Sequence, residues 1–162
     1  MSSSAEQTPQ QSGIDPRSPR FGAGITAVLL LVVVFLGLTG SEIAAFVVLL
    51  LIAAVFAWGA FAGVRRHPYG WLYRRLIRPR LSPPAQLEDP VPPTFAQGVG
   101  LVITGLGLIL QLVGVPDAVV VAAALAFVAA FLNSVFGYCL GCQIYLLLVR
   151  TGIIRRAQTT VA

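Results

Sequence analysis

The sequence predicts an all-α protein that crosses a lipid bilayer four times, as two helical hairpins joined by a basic interfacial loop. Three observations lead there. Of 162 residues, 57% are hydrophobic and only 10% charged, whereas a soluble domain carries about a quarter charged residues. The apolar residues gather into runs close to the length of a membrane crossing. The basic residues fall outside those runs, in three clusters.

The net charge is +5, from eleven arginines and no lysine. On a membrane chain such charge reads as an orientation signal and as contact with anionic lipid, not as nucleic-acid binding. Two cysteines cannot build a disulfide framework, so secretion is not implied.

Residues 1–20 are rich in Ser, Gln and Pro and are expected to form a disordered cytoplasmic tail. The long polar leader, and an apolar run beyond the ~7–15 residues of an h-region, do not resemble a cleavable signal peptide. Residues 21–38 form the first crossing; 18 residues of helix reach about 27 Å, against a hydrocarbon core of about 30 Å. Gly40 is placed to end it, and Ser41 to cap a second crossing over residues 43–64, with Glu42 in its first turn. The spacings Ala53/Ala57 and Gly59/Gly63 suit close helix packing.

Residues 65–94 make the one long connection. Tyr69, Leu72 and Leu76 share a helical face, with Arg65, Arg66, Arg74, Arg75 and Arg78 around them. This predicts a short amphipathic helix between Pro68 and Pro79, lying in the interface against anionic headgroups. The prolines from Leu81 onward predict an extended, partly rigid link. Residues 95–113 form the third crossing, whose Gly98, Gly100, Gly105 and Gly107 suit close packing. Gln111 is placed to reach the interface, and Asp117 to cap the next helix.

The last apolar run, residues 118–149, is too long for one straight crossing at about 48 Å and too short for two. It is read as a crossing over residues 118–136, with Ala122, Ala126 and Ala130 as a packing stripe. A change of direction at Gly137 follows, and residues 137–150 continue at the interface. Residues 151–162 form a basic tail. Four crossings then place every basic cluster on one side, the cytoplasm by the positive-inside rule.

The chemistry concentrates in Asn133-Ser-Val-Phe-Gly137-Tyr138-Cys139-Leu-Gly141-Cys142-Gln143. At i and i+3 on a helix, both sulfurs can meet one partner. If a helix begins here, its free N–H groups and dipole stabilise a thiolate at the first cysteine. Cys139 then attacks and Cys142 resolves. Tyr138 and Gln143 are candidate hydrogen-bonding groups, and Gly141 a point of close backbone access for a partner. Two other readings stay open. The cysteines can be small packing residues, with Gly137 and Gly141 as a contact face and Asn133 donating across helices. They can also be part of a metal site, but a metal needs more than two thiolates, and His67, beside Arg65 and Arg66, reads as an interfacial side chain instead of a ligand. No metal or cofactor is assigned. No phosphate loop, no Ser/His/Asp set and no acidic residue within a crossing is present. As polar groups at mid-membrane only Thr26, Thr104, Gln111 and Asn133 are candidates, fewer than a pump or ion carrier needs.

Five blocks carry a resemblance: Asp15-Pro16-Arg17-x-Pro19-Arg20-Phe21-Gly22-Ala23, His67-Pro68-Tyr69-Gly70, Arg78-Pro79-Arg80-Leu81, Glu88-Asp89-Pro90-x-Pro92-Pro93-x-Phe95-Ala96-Gln97-x-Val99-Gly100, and Asn133-x-x-Phe136-Gly137-x-Cys139-Leu140-Gly141-Cys142-x-x-Tyr145. Together they resemble the bacterial membrane family called domain of unknown function 4395, from Ile14 to Val149. Thr94 stands where an Arg is usual, and Gln143 where a Glu is common. The missing carboxylate argues against an obligatory acid beside the cysteines. The resemblance implies a bacterial inner-membrane protein associated with thioredoxin-like or sulfurtransferase proteins. The expected function is thiol or persulfide exchange with such a cytosolic partner. The competing class is a non-catalytic packing or assembly subunit, in a homo- or hetero-oligomer.

Overall fold

The computed structural model describes residues 13–154. Four long helices dominate it: α1 (Arg17–Leu38), α2 (Glu42–Ala62), α4 (Val91–Leu112) and α5 (Ala118–Phe136), with the shorter α3 (Pro68–Leu76) and α6 (Leu140–Arg150) between and after them. The four long helices are each long and apolar enough to span a bilayer. The chain is therefore a multi-pass, all-helical membrane protein. α1 packs on α5 and α2, and α4 on α2 and α5, which closes a four-helix ring.

The helix ends follow local chemistry. α1 begins at Arg17, four residues before the expected start, because the Asp15 carboxylate accepts the Arg17 backbone N–H at 3.0 Å. Of the disordered tail expected over residues 1–20, Gly13–Arg20 is instead folded against the bundle, and residues 1–12 lie outside the described residues. The rest of the C-terminal tail, residues 155–162, lies outside them too. α4 likewise begins early, at Val91, whose N–H is held by the Asp89 carboxylate. Ser41 and Asp117 occupy the expected N-cap positions, but neither side chain caps. Asp117 is instead in the left-handed conformation, φ 58°, and Gln111 reaches across the turn to accept the Val119 N–H. Gln111 therefore performs the role expected of Asp117.

The core is built from small contacts. Lipid supplies no hydrophobic force between helices, so association depends on close packing. Ala122, Ala123 and Ala126 of α5 are buried with Leu30 and Val33 of α1 and Leu49 and Ile52 of α2. Gly107 of α4 sits directly on Ala122, and Gly100 on the Phe56 ring. Gly98 and Gly105 face open space, so only half of the glycines expected to pack do so. Gly63, with φ 79°, ends α2 and touches nothing.

The long connection folds over one end of the ring. α3 forms where expected, and its protein-facing side is set by Gly70 and Tyr73. Tyr73 (1% exposed) and Gly70 are buried against the start of α1, whereas Leu76 is 47% exposed and Trp71 54% exposed. The reason is local. Gly22 leaves room for the Tyr69 side chain, Gly70 meets Ser18, and the Tyr73 ring packs on Phe21. A paired Ile14–Glu88 bridge and an Arg17 bond to the Ser82 carbonyl fasten the proline-rich link to the same place. Arg65, Arg66, Arg74, Arg75 and Arg78 all remain exposed, with the Arg75 guanidinium over the Trp71 ring.

Gly107→Ala places a methyl group where Ala122 already sits, an overpacking that costs about 1–3 kcal/mol. The midpoint of thermal unfolding in detergent should fall for this variant. Gly105→Ala meets no atom within 4 Å and gains helix propensity, so its midpoint should hold or rise.

Candidate functional site

The site lies at the end of the bundle that α3 and α6 close. α5 stops at Gly137, which takes the left-handed conformation (φ 69°) and donates its N–H to the Asn133 carbonyl. Arg20 of α1 donates to the Val135 carbonyl in that last turn, a cation on carbonyls the helix leaves free. The chain reverses and α6 begins at Leu140, with Cys139 as its N-cap. The Cys139 sulfur accepts the Cys142 backbone N–H at 3.3 Å. The two cysteines lie side by side, Cα to Cα 5.2 Å. The break expected at Gly137 and the helix start expected at the cysteines are both present.

α6 does not float free. It packs chiefly on α4, with Gly141 buried against Ala96 and the Tyr145 ring 5.6 Å from that of Phe95. Gly141 is therefore filled by a neighbouring helix and leaves no backbone access for a partner, contrary to the sequence expectation. A Cβ there would stand 2.5 Å from that of Ala96. Tyr138 and Gln143 are exposed beside the pair, and their side chains form no hydrogen bond to it. Asn133 is half-buried. Thr94 uses its hydroxyl to accept the Val64 N–H and to donate to the Pro90 carbonyl.

Behind the cysteines is a cavity of about 510 Å³, and Cys139 and Asn133 line it. It extends inward to Thr26, Ile103 and Leu125. These lie about 14–18 Å along their helices from the ends of α1, α4 and α5, roughly half of a bilayer core. Arg74 and Arg78 stand at its polar end with Asp15 and Tyr73.

His67 also lines this cavity. It is 7% exposed, not the interfacial side chain its arginine neighbours suggested. His67 is the N-cap of α3, and its Nδ1 accepts the Tyr69 backbone N–H. Nε2 is buried without a hydrogen-bond partner. Burial pushes the imidazole below the ordinary histidine pKa of 6.5, and the nearby Val55 carbonyl opposes the shift. The neutral ring, with Nδ1 accepting, carries its proton on Nε2 as a donor. Asp15 is the other titratable group of the lining. Burial works to raise its pKa, but bonds from the Arg17 backbone, the Arg17 side chain and the Tyr73 hydroxyl hold it below 3.8. Tyr73, in turn, is pushed up by burial and by Asp15. Sequence reasoning assigned no role to Asp15, Tyr73 or His67. The usable signal was His67 directly before Pro68, an N-cap position followed by a proline at the first helical residue. Among the described residues, no three His, Cys, Asp or Glu side chains converge on one metal position.

Residues 14–150 match the family described as Domain of unknown function (DUF4395). The chain belongs to that family. The match extends over α1 to α6 and includes the two cysteines, the cavity and His67. No curated protein and no solved structure matched the chain.

His67 is the sole histidine, so its imidazole resonance can be followed without assignment. Its titration midpoint should fall below 6.5; a midpoint at or above 6.5 contradicts the buried, neutral ring. Because the folded pKa is depressed, the stabilisation is fully present above pH 6.5 and is lost as pH falls through the folded value. His67→Phe should flatten that part of the stability profile.

Proposed function

We propose that this DUF4395 protein is a membrane thiol-exchange protein whose working groups are Cys139 and Cys142. The observation that carries this reading is the placement of Cys139 as the N-cap of α6, its sulfur accepting the Cys142 N–H. Free N–H groups and the positive helix end favour a thiolate at Cys139 once the pair is reduced. Exchange then has two steps. A partner thiolate attacks the Cys139 sulfur and Cys142 leaves as a thiolate. The partner's second thiol resolves the mixed disulfide, leaving a partner disulfide and a reduced Cys139/Cys142 pair. A persulfide-carrying partner would use the same Cys139 sulfur. The exposed Tyr138, Gln143 and Phe136 form the surface that such a partner meets.

The arginine distribution supports a cytoplasmic location for this end, with both termini and the residue 65–94 loop on that side of a bacterial inner membrane. Anionic headgroups are the counterpart of Arg65, Arg66, Arg74, Arg75 and Arg78. A thioredoxin-like or sulfurtransferase protein of the cytosol is then the partner that can reach Cys139. A second reading has an observation of its own: Gly141 on Ala96 and Tyr145 on Phe95 seat α6 firmly, as a packing or assembly subunit requires.

Two experiments test the proposal. With single reporter cysteines in a Cys-free background, a membrane-impermeant reagent on spheroplasts should label Ser41→Cys and spare Ser82→Cys; the reverse pattern overturns the orientation. Under mild oxidation, Cys142→Ala should trap Cys139 in a mixed disulfide with a cytosolic thioredoxin-like or sulfurtransferase protein, and Cys139→Ala should trap none. Normal assembly of both variants with no adduct from either would sink the thiol-exchange reading in favour of packing.

A further inference from the structure

A thiol pair that turns over needs a two-electron partner on its other side. The cavity behind Cys139 has the features of a place for one. Its volume of about 510 Å³ falls within the roughly 300–1,000 Å³ of small-molecule sites. Its inner walls are apolar, formed by residues such as Phe56, Ile103, Leu125 and Ala126. Its inner end lies among the apolar residues of the four long helices, so its occupant has to be largely apolar. At its polar end the reactive sulfur of Cys139 and the half-buried Asn133 share the lining with His67.

His67 narrows the choice of occupant. A buried polar group with no partner is destabilising, and His67 is the one such side chain among the described residues. Its Nδ1 is engaged with Tyr69, and Nε2 has no partner at hydrogen-bonding distance, although the Val55 carbonyl lies close enough to raise the imidazole pKa and would compete with a ligand for that N–H. The fitting ligand is therefore flat or slender, largely apolar, and carries an acceptor oxygen. It must also take two electrons from a dithiol.

We propose that the cavity is a quinone site, in which a membrane benzoquinone or naphthoquinone accepts a hydrogen bond from His67 and oxidises the reduced Cys139/Cys142 pair. The step balances without a further reagent. Two S–H bonds break and one S–S bond forms. The two electrons and two protons convert the quinone carbonyls to the two hydroxyls of the hydroquinone. This rests on the thiol-exchange reading above and names the electron acceptor that lets the pair run repeatedly as an oxidant of partner dithiols. Cys139 is the group that touches the quinone; His67 orients it and polarises its carbonyl.

The test uses the full-length protein in lipid nanodiscs, reduced, freed of reductant and kept anaerobic. Decylubiquinone is the probe, followed by the ultraviolet absorbance lost on ring reduction, alongside a thiol count. Wild type should reduce one quinone per chain with loss of both thiols. Cys139→Ala and Cys142→Ala should reduce none while still binding the probe by titration calorimetry. His67→Phe should raise the KM for decylubiquinone roughly three- to ten-fold, the loss of one hydrogen bond, and His67→Gln, which keeps a donor, should recover most of it. Thermal unfolding of each variant separates this from misfolding. A separate quinone-free reaction, in which the oxidised protein oxidises a reduced thioredoxin-fold protein once, reads thiol exchange alone. If that exchange proceeds but decylubiquinone neither binds nor is reduced, the quinone site is wrong and the thiol function stands. If the quinone binds and is reduced but no exchange occurs, the quinone site stands and the partner reading fails. Quinone binding without reduction, by a protein that also exchanges no thiols, overturns both. A KM unchanged in His67→Phe removes His67 from the site.

Discussion

Close approach of helices through small side chains is the interaction on which this protein depends. In hydrocarbon, Leu against Leu is no better than Leu against lipid, so helices associate only where backbones come near. α5 provides that surface. At the turn-bearing end of the bundle its Ala122 receives Gly107 of α4 with no space between them. Further along α5, Ala126, Ala129 and Ala130 line the cavity together with Gly22, Ala23 and Gly100 of other helices. One sequence feature thus has two consequences. Where two small residues oppose each other, the helices touch. Where several are gathered at a ring of helix ends, too little side chain remains to fill the middle.

The hollow persists because its open end is built up by polar fastenings, not by bulky side chains. Asp15 gathers the Arg17 N–H, the Arg17 guanidinium and the Tyr73 hydroxyl. That one carboxylate starts α1 and anchors α3 to it. The Ile14–Glu88 bridge and the Arg17–Ser82 bond bring the proline-rich link to the same corner. α6 completes the rim from the other side through Gly141 and Tyr145. The charged groups are thereby consumed at the periphery, and the neutral His67 is left within.

Much of the fold was legible because membrane crossings have a length and a composition. The four long helices, the tight turns, the break at Gly137 and the helix start at the cysteines all follow from local pattern. What was not legible depended on which neighbour arrives. Gly98 and Gly100 look alike in sequence, but only Gly100 has Phe56 across from it. Asp117 looked like the cap of α5 until Gln111, on the far side of the turn, reached the free Val119 N–H first. Tyr69, Leu72 and Leu76 form an apolar stripe, but α3 is held by Gly70 and Tyr73, because Phe21, Gly22 and Ser18 of α1 are what it meets. His67 was set aside because its sequence neighbours are arginines. Those arginines point outward while the ring turns in, and no periodicity reports that.

The geometry also explains why a thiol pair would sit where it does. At mid-membrane a thiolate would have neither water nor helix N–H groups to stabilise it. At the bundle end, Cys139 has the Cys142 N–H and the start of α6, and beside it the exposed surface of Phe136, Tyr138 and Gln143. Its inner side faces the apolar hollow. Cys139 is thus partly exposed and also part of the cavity lining. That position is the one place in the bundle where polar, proton-dependent thiol chemistry and a hydrocarbon-soluble reactant can share an atom. The helix break at Gly137 makes it possible: without the left-handed residue, α5 would carry both cysteines straight on, and neither would begin a helix.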